Sequence, residues 1–227
     1  MVEHTQHQIK KKAKGITVGL LAAIIFFLLV VFLFWRITDE IVLEQENSLD
    51  SVVFGFLSHY TNPSTTKMML LFTFFGSTKF LLPAYILLAG FFLFFKRSRF
   101  HSISVAAVGL TSIGLLFLLK NIFHRHRPLE PLTKNVIGYS YPSGHSFSSF
   151  TFFGLLTYII WKTDLPKFWK WVLSVICILL VCCIAVSRVY LHLHFASDVI
   201  AGLCLSIIWL SICYWILTAV SKKFKLK

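Results

Sequence analysis

The long apolar runs of this sequence constrain its fold more than any other feature. Six of them, at about 16–35, 68–95, 102–119, 147–161, 171–186 and 199–220, are dominated by Leu, Ile, Val and Phe. A helix needs roughly 20 such residues to cross the hydrocarbon of a bilayer. Overall the chain is 57% hydrophobic and 14% charged, with a mean hydropathy of +0.77. A soluble domain carries roughly a quarter charged residues. The expected fold is therefore all-α: a polytopic membrane protein with six transmembrane helices in one bundle. It forms a single domain over residues 1–227 and leaves no room for a second, soluble one. The first run is longer than the apolar region of a secretory signal, and no small-residue cleavage site comes after it. It reads as a retained anchor.

The formal charge of +13 would suit a nucleic-acid partner if it lay along one polar surface. Instead the basic residues cluster at the ends of apolar runs, which is a topology signal. Lys10, Lys11, Lys12 and Lys14 precede the first run, and Lys96, Arg97 and Arg99 come after the second. Lys162, Lys167 and Lys170 come after the fourth, and Lys222, Lys223, Lys225 and Lys227 close the chain. With both termini cytoplasmic, these fourteen of the 22 Lys and Arg fall on the inner side. Nucleic-acid binding is excluded as a reading.

Between the first two runs lie Asp39, Glu40, Glu44, Glu46 and Asp50. Leu49, Val52, Val53, Phe56, Leu57 and Tyr60 recur there at helical spacing. They suggest a short amphipathic helix, either lying in the membrane interface or packed against the bundle. Gly76-Ser77-Thr78-Lys79 and Pro83 interrupt the second run, so its outer part is expected to bend or project, with Lys79 snorkelling. Five cysteines, Cys177, Cys182, Cys183, Cys204 and Cys213, fall within apolar runs at no metal-binding spacing and read as packing residues.

Three polar clusters then share the outer side. Lys120, His124 and Arg127 stand at i, i+4 and i+7, one face of a helix that Pro128 helps to end. Pro142-Ser143-Gly144-His145 opens the fourth run. The junction from Ser187 to Asp198 holds Arg188, His192, His194 and Asp198. Ionisable groups at membrane depth indicate function. His194 and Asp198, at i and i+4, share a face if this piece is helical. The carboxylate can then fix one ring nitrogen and leave the other as nucleophile. Lys and Arg bind phosphate oxygens through charge-assisted hydrogen bonds, and a helix opening at Ser-Gly-His offers free N–H groups to an anion. The chemistry this set suits is phosphoryl transfer, one histidine attacking phosphorus while the other protonates the leaving oxygen.

The pattern Lys120-x6-Arg127-Pro128, Pro142-Ser143-Gly144-His145 and Ser187-Arg188-x5-His194-x3-Asp198 resembles the type 2 phosphatidic acid phosphatase superfamily. The motifs occupy residues 120–198. The resemblance implies that His194 is a nucleophile forming a phosphohistidine, Asp198 its orienting carboxylate and His145 the general acid. It makes Lys120, Arg127 and Arg188 the phosphate-binding cations, assisted by Ser143 and Gly144, and implies no metal or other cofactor. His192 occupies a place expected to be small or apolar, and its ring is expected to face away from the site. The short segment between Pro128 and Pro142 leaves little material for a lid.

The expected protein is a multi-pass enzyme of the cytoplasmic membrane with its active site on the extracytoplasmic side. Its partners would be the bilayer and a lipid phosphate or pyrophosphate. Substrates of the undecaprenyl pyrophosphate, phosphatidylglycerophosphate or phosphatidic acid class all fit. A phosphotransferase using the same intermediate and a non-enzymatic polyprenyl-phosphate carrier are the alternatives. The carrier leaves the paired histidines and the Asp at i+4 without a reason.

Overall fold

The computed structural model describes residues 2–44, 48–133 and 137–224, with side chains described from residue 18 and excluding 42–44. The basic cluster Lys10 to Lys14, the acids Glu44 and Glu46, and the tail residues Lys225 and Lys227 lie outside the described side chains.

Helix α1 runs Val2–Glu44, and a short α2, Ser48–Ser58, comes next. Asn62 then caps α3 (Pro63–Phe75) by accepting from Thr65 N at 2.9 Å, with Pro63 in the first turn where its missing N–H costs nothing. The second apolar run breaks at Gly76-Ser77, as its sequence suggested, and restarts as α4 (Thr78–Gly90). Pro83 sits inside α4 without ending it, and a π-helical turn, Phe91–Phe95, completes the run. Lys79 is exposed and does not enter the bundle. Next come α5 (Arg99–Phe123), α6 (Gly144–Lys162), α7 (Lys167–Tyr190) and α8 (Ala196–Phe224).

Among the described residues five stretches are long and apolar enough to cross a membrane: Val18–Ile41, Pro63–Phe95, Arg99–Phe123, Lys167–Tyr190 and Ala196–Phe224. The run expected as a sixth, α6, is not among them, because Gly144, His145, Ser146, Ser148, Ser149 and Thr151 crowd its first half. The hydroxyls of Ser149 and Thr151 are bonded internally. Ser149 donates to the carbonyl of Ser146, and Thr151 donates to the carbonyl of Phe147 and to Ser206 Oγ on α8. Such bonds offset the cost of placing hydroxyls in an apolar bundle.

The central unit is α6 packed between α7 and α8, with α1 against α8, α3 against α7 and α4 against α5. Leu81, Phe152, Phe153, Cys177, Val181 and Ile184 form one buried cluster. A second, Ile37, Ile41, Tyr141 and Ala201, seats the end of α1, where Thr38 Oγ1 and the Tyr141 hydroxyl are 2.6 Å apart. The five cysteines are free, with Cys177 and Cys204 buried and Cys182 exposed. On α2, Val52 and Phe56 are exposed, while Asp50, Phe54 and Leu57 face α7 and α8.

Candidate active site

His194 lies in the turn between α7 and α8, so it and Asp198 do not share a helical face. The helix starts at Ala196, and Asp198, three residues past Phe195, turns back to accept from Phe195 N at 3.0 Å. This is how an acid in the first turn satisfies an N-terminal amide. The same oxygen, Oδ2, lies 3.4 Å from His194 Nδ1. Both side chains are nearly inaccessible, at 2% and 0% exposure. The carboxylate accepts, so Nδ1 carries the proton and Nε2 keeps its lone pair. Nε2 in turn lies 3.4 Å from Arg127 Nη1.

Burial holds the proton affinity of His194 well below that of an ordinary histidine, and the charges of Arg188, Arg127 and Lys120 lower it further. Both effects favour the neutral ring. Arg127 is itself pushed below its ordinary value by burial, an effect the Asp198 charge opposes.

The three expected cations converge by different routes. Helix α5 stops at Phe123, where His124 adopts the left-handed conformation (φ 48°), so Lys120, His124 and Arg127 do not lie on one helical face. The chain beyond runs beside residues 138–140, with Ser140 N donating to the Arg125 carbonyl at 2.9 Å. This carries Arg127 back over the site, where its guanidinium donates to the carbonyls of Gly138 and Leu193 at 2.9 and 2.6 Å. Lys120 Nζ donates to the carbonyl of Tyr139 at 2.5 Å. Arg188, on the last turn of α7, donates to Thr73 Oγ1 on α3. Neutral oxygens thus hold all three, and among the described residues none of them forms an ion pair. Among the described residues the buried Nε of Arg188 has no hydrogen-bond partner.

Ser143 and His145 come from the start of α6. Ser143 is the N-cap, its Oγ accepting from Ser146 N at 3.4 Å and from Ser146 Oγ at 2.9 Å. Its own N–H donates to the Asp198 carbonyl at 3.1 Å, which ties α6 to α8 beside the histidine–carboxylate pair. Gly202 makes that tie possible: a Cβ there would stand 3.0 Å from the Ser143 carbonyl oxygen and 3.2 Å from Phe147 N. At Gly144 an added Cβ would meet Leu116 at 3.0 Å. Gly76, at the break between α3 and α4, gives His145 its space, since a Cβ there would lie 3.3 Å from its ring and 2.6 Å from Ile184.

His145 and Gly144 also open into a cavity of about 440 Å³ whose other walls include Leu81, Leu82, Tyr85, Ile113 and Leu116. A larger cavity of about 570 Å³, between Phe92, Phe100, Tyr158 and Leu217, touches none of the site residues. His192 points away from the site, its ring edge-on to Phe54 at 5.1 Å. Among the described residues no three His, Cys, Asp or Glu side chains group as metal ligands.

Sequence reasoning passed over Arg125. It is 3% exposed, and its Nη1 donates to Asp198 Oδ1 at 2.6 Å while Nη2 donates to Asp50 Oδ2 at 2.9 Å. The signal was available: Asp50 shares a helical face with Phe54 and Leu57, the face turned to the bundle, and a buried acid needs a cation.

A membrane-embedded helical bundle that gathers a histidine–carboxylate pair, a second histidine and three cations defines a class, and comparison with known proteins agrees. The chain belongs to the PAP2 superfamily, which it matches over residues 101–222, and with its relatives it falls among that family's membrane lipid phosphatases. It is 32% identical over 149 residues to phosphatidylglycerophosphatase B of Bacillus subtilis, spanning 64% of this chain and 72% of that protein. It is 31% identical over 187 residues to undecaprenyl-diphosphatase of Sulfolobus acidocaldarius, spanning 78% and 83%. Its fold superimposes on the PAP2-type phosphatidylglycerolphosphate phosphatase of Bacillus subtilis with a TM-score of 0.74 at 24% identity, over 87% of this chain and 96% of that one. Against Aquifex aeolicus LpxE the TM-score is 0.57 at 22% identity, over 75% and 98%.

Proposed function

We propose that this protein removes phosphate from a lipid phosphate monoester or a terminal lipid pyrophosphate, through a phosphohistidine formed on His194. The observation that carries the reading is how charge is distributed. Arg125 takes up the charge of Asp198, while Lys120, Arg127 and Arg188 surround two histidines with no carboxylate partner of their own among the described residues. A dianionic phosphoryl group supplies the missing charge, and the buried Nε of Arg188 gains an acceptor.

In this mechanism the three cations grip the equatorial oxygens, and the first amides of α6, which have no intrahelical acceptor, add their dipole. His194 Nε2 attacks phosphorus and a P–N bond forms as the bond to the lipid oxygen breaks. His145 gives its proton to that oxygen. The ring of His194, now protonated on Nδ1 and phosphorylated on Nε2, carries a positive charge that Asp198 balances. Water then attacks phosphorus, His145 takes its proton, and breaking of the P–N bond releases phosphate.

The lipid's apolar chain fits the cavity that meets His145 between α4, α5 and α6. A headgroup phosphate beside that cavity selects lipids of the phosphatidylglycerophosphate, undecaprenyl pyrophosphate or phosphatidic acid class, the first two matching the names of the relatives. Counting α6 as a sixth crossing with both termini cytoplasmic puts the clusters at 120–127, 142–145 and 188–198 on the outer face and the basic loops inside. Helix α2 then lies at the outer interface.

The test is phosphate release from undecaprenyl pyrophosphate, phosphatidylglycerophosphate and phosphatidic acid in detergent with EDTA present. Release by the wild type that is lost in His194→Ala, with 32P trapped on the protein in His145→Ala, is the expected result. Undiminished release by His194→Ala would remove the proposed nucleophile, and release abolished by EDTA would point to a metal.

A further inference from the structure

Arg125 lies within the stretch His124-Arg125-His126-Arg127, in which Arg127 faces His194 Nε2. Its side chain does something else. The guanidinium is buried, sits 4.0 Å over the ring centroid of Phe195, and divides its two terminal nitrogens between two carboxylates. Nη1 donates to Asp198 Oδ1 at 2.6 Å and to Ser197 Oγ at 2.9 Å, and Nη2 donates to Asp50 Oδ2 at 2.9 Å. Asp50 closes the ring: its Oδ1 accepts from Ser197 N at 2.9 Å and its Oδ2 from Ser197 Oγ at 2.7 Å.

We propose that Arg125 and Asp50 form a positioning pair, in which a residue of α2 fixes the first turn of α8 and so aims the Asp198 carboxylate at His194. The inference rests on the phosphohistidine reading of His194.

Asp198 has two oxygens with separate duties. Oδ1 takes Arg125, and Oδ2 takes Phe195 N and the imidazole. With Oδ1 clamped, the carboxylate cannot rotate to present the other edge. The contact to His194 Nδ1 is 3.4 Å, already at the limit of a hydrogen bond, so a small rotation breaks it. The fork geometry of arginine is required, because a lysine ammonium is a point charge and cannot span two carboxylates in fixed directions. Asp50 is required because Arg125 with Asp198 alone could swing toward phosphate. With both acids in place, Arg125 has no role as a phosphate ligand.

The experiment compares purified wild type with Arg125→Lys, Asp50→Asn, the double variant and Arg188→Lys. It measures kcat, KM, inhibition by inorganic phosphate and melting temperature in one detergent. The substrate is whichever of the three lipids the wild type hydrolyses and His194→Ala does not, so the parent reading is settled first. Displacement of a catalytic group by an ångström costs about 100-fold, and Arg125→Lys and Asp50→Asn should each lower kcat by that order. Their inhibition constants for phosphate should stay unchanged, whereas that of Arg188→Lys rises. The double variant should be no slower than the worse single one, since the two residues act as a unit. Phosphate inhibition weakened in Arg125→Lys as in Arg188→Lys would make Arg125 a phosphate ligand and overturn the proposal. Unchanged kcat in the near-isosteric Asp50→Asn would overturn it too, as would a melting temperature that falls while kcat holds. If Arg125→Lys fails to fold, Asp50→Asn alone carries the same decision.

Discussion

Replacing Gly202 with alanine puts one methyl group where α8 crosses the start of α6. The new Cβ would stand 3.0 Å from the Ser143 carbonyl oxygen, 3.2 Å from Phe147 N and 3.2 Å from Ser146 Cβ. Ordinary contacts lie near 3.5 Å, so α6 must retreat by roughly 0.3–0.5 Å. Two of the three neighbours are backbone atoms of a capped first turn and cannot step aside singly, so the segment carrying Ser143, Gly144 and His145 moves as one piece. Overpacking of this kind costs about 1–3 kcal/mol, and the better helix propensity of alanine returns about 1 kcal/mol. The fold should therefore lose roughly 0–2 kcal/mol and survive.

Activity should suffer more than stability. The shift separates His145 from His194, and scaling about 100-fold per ångström gives a loss of roughly tenfold in kcat/KM. The assay measures kcat/KM and melting temperature on the same detergent-purified samples. Gly154→Ala is the control, because its Cβ would meet only Leu210 Cδ1, at 2.8 Å, the far end of a flexible side chain. It should keep wild-type activity. Wild-type kcat/KM in Gly202→Ala would refute the claim that this crossing sets the distance between the histidines.

Thr73→Val keeps the shape of the side chain but removes the oxygen that accepts from Arg188 Nη1. Loss of an acceptor to a charged donor costs about 1.5–3 kcal/mol, and we expect a weaker grip on inorganic phosphate, read as a higher inhibition constant, with the fold intact. His194 makes stability depend on pH. Its proton affinity is lowered in the folded state, so its contribution is fully present above the unfolded value near 6.5 and is lost as pH falls, by up to about 1.4 kcal/mol per pH unit. Between pH 7 and 5 the melting temperature of the wild type should fall further than that of His194→Asn, and equal slopes would show that the ring titrates normally.

The membrane class, and the expectation that the polar clusters would gather, were legible because each rests on local chemistry. Apolar runs must be helical in lipid, and cations beside histidines at run ends need a reason. The break at Gly76-Ser77 was visible for the same cause. What stayed hidden was set by distant partners. Nothing in the spacing of Lys120, His124 and Arg127 reveals that α5 ends at Phe123, because the turn is stabilised by the Ser140 amide and by the acids that hold Arg125. Asp198 and His194 meet as expected, but across a helix start, since the carboxylate reaches back to Phe195 N. The amphipathic pattern at 49–60 gave a helix and misplaced its inner face: Asp50, counted among polar loop residues, is the residue most deeply buried there.

The joining of Asp50, Arg125 and Asp198 has a consequence for how the chain is made. These residues lie 75 and 73 positions apart, so the ribosome delivers an acid first, its base much later and the second acid after most of the chain has emerged. Until Asp198 emerges the Asp50–Arg125 pair lacks its second carboxylate, and an unbalanced charge enters hydrocarbon only at a cost. Both must wait in water or headgroups while the intervening helices insert. The centre is thus completed only when α8 is made: a nascent chain halted before α8 would hold Asp50, Arg125 and His194 but not Asp198. The His194–Asp198 pair cannot form before the first turn of α8 is in place.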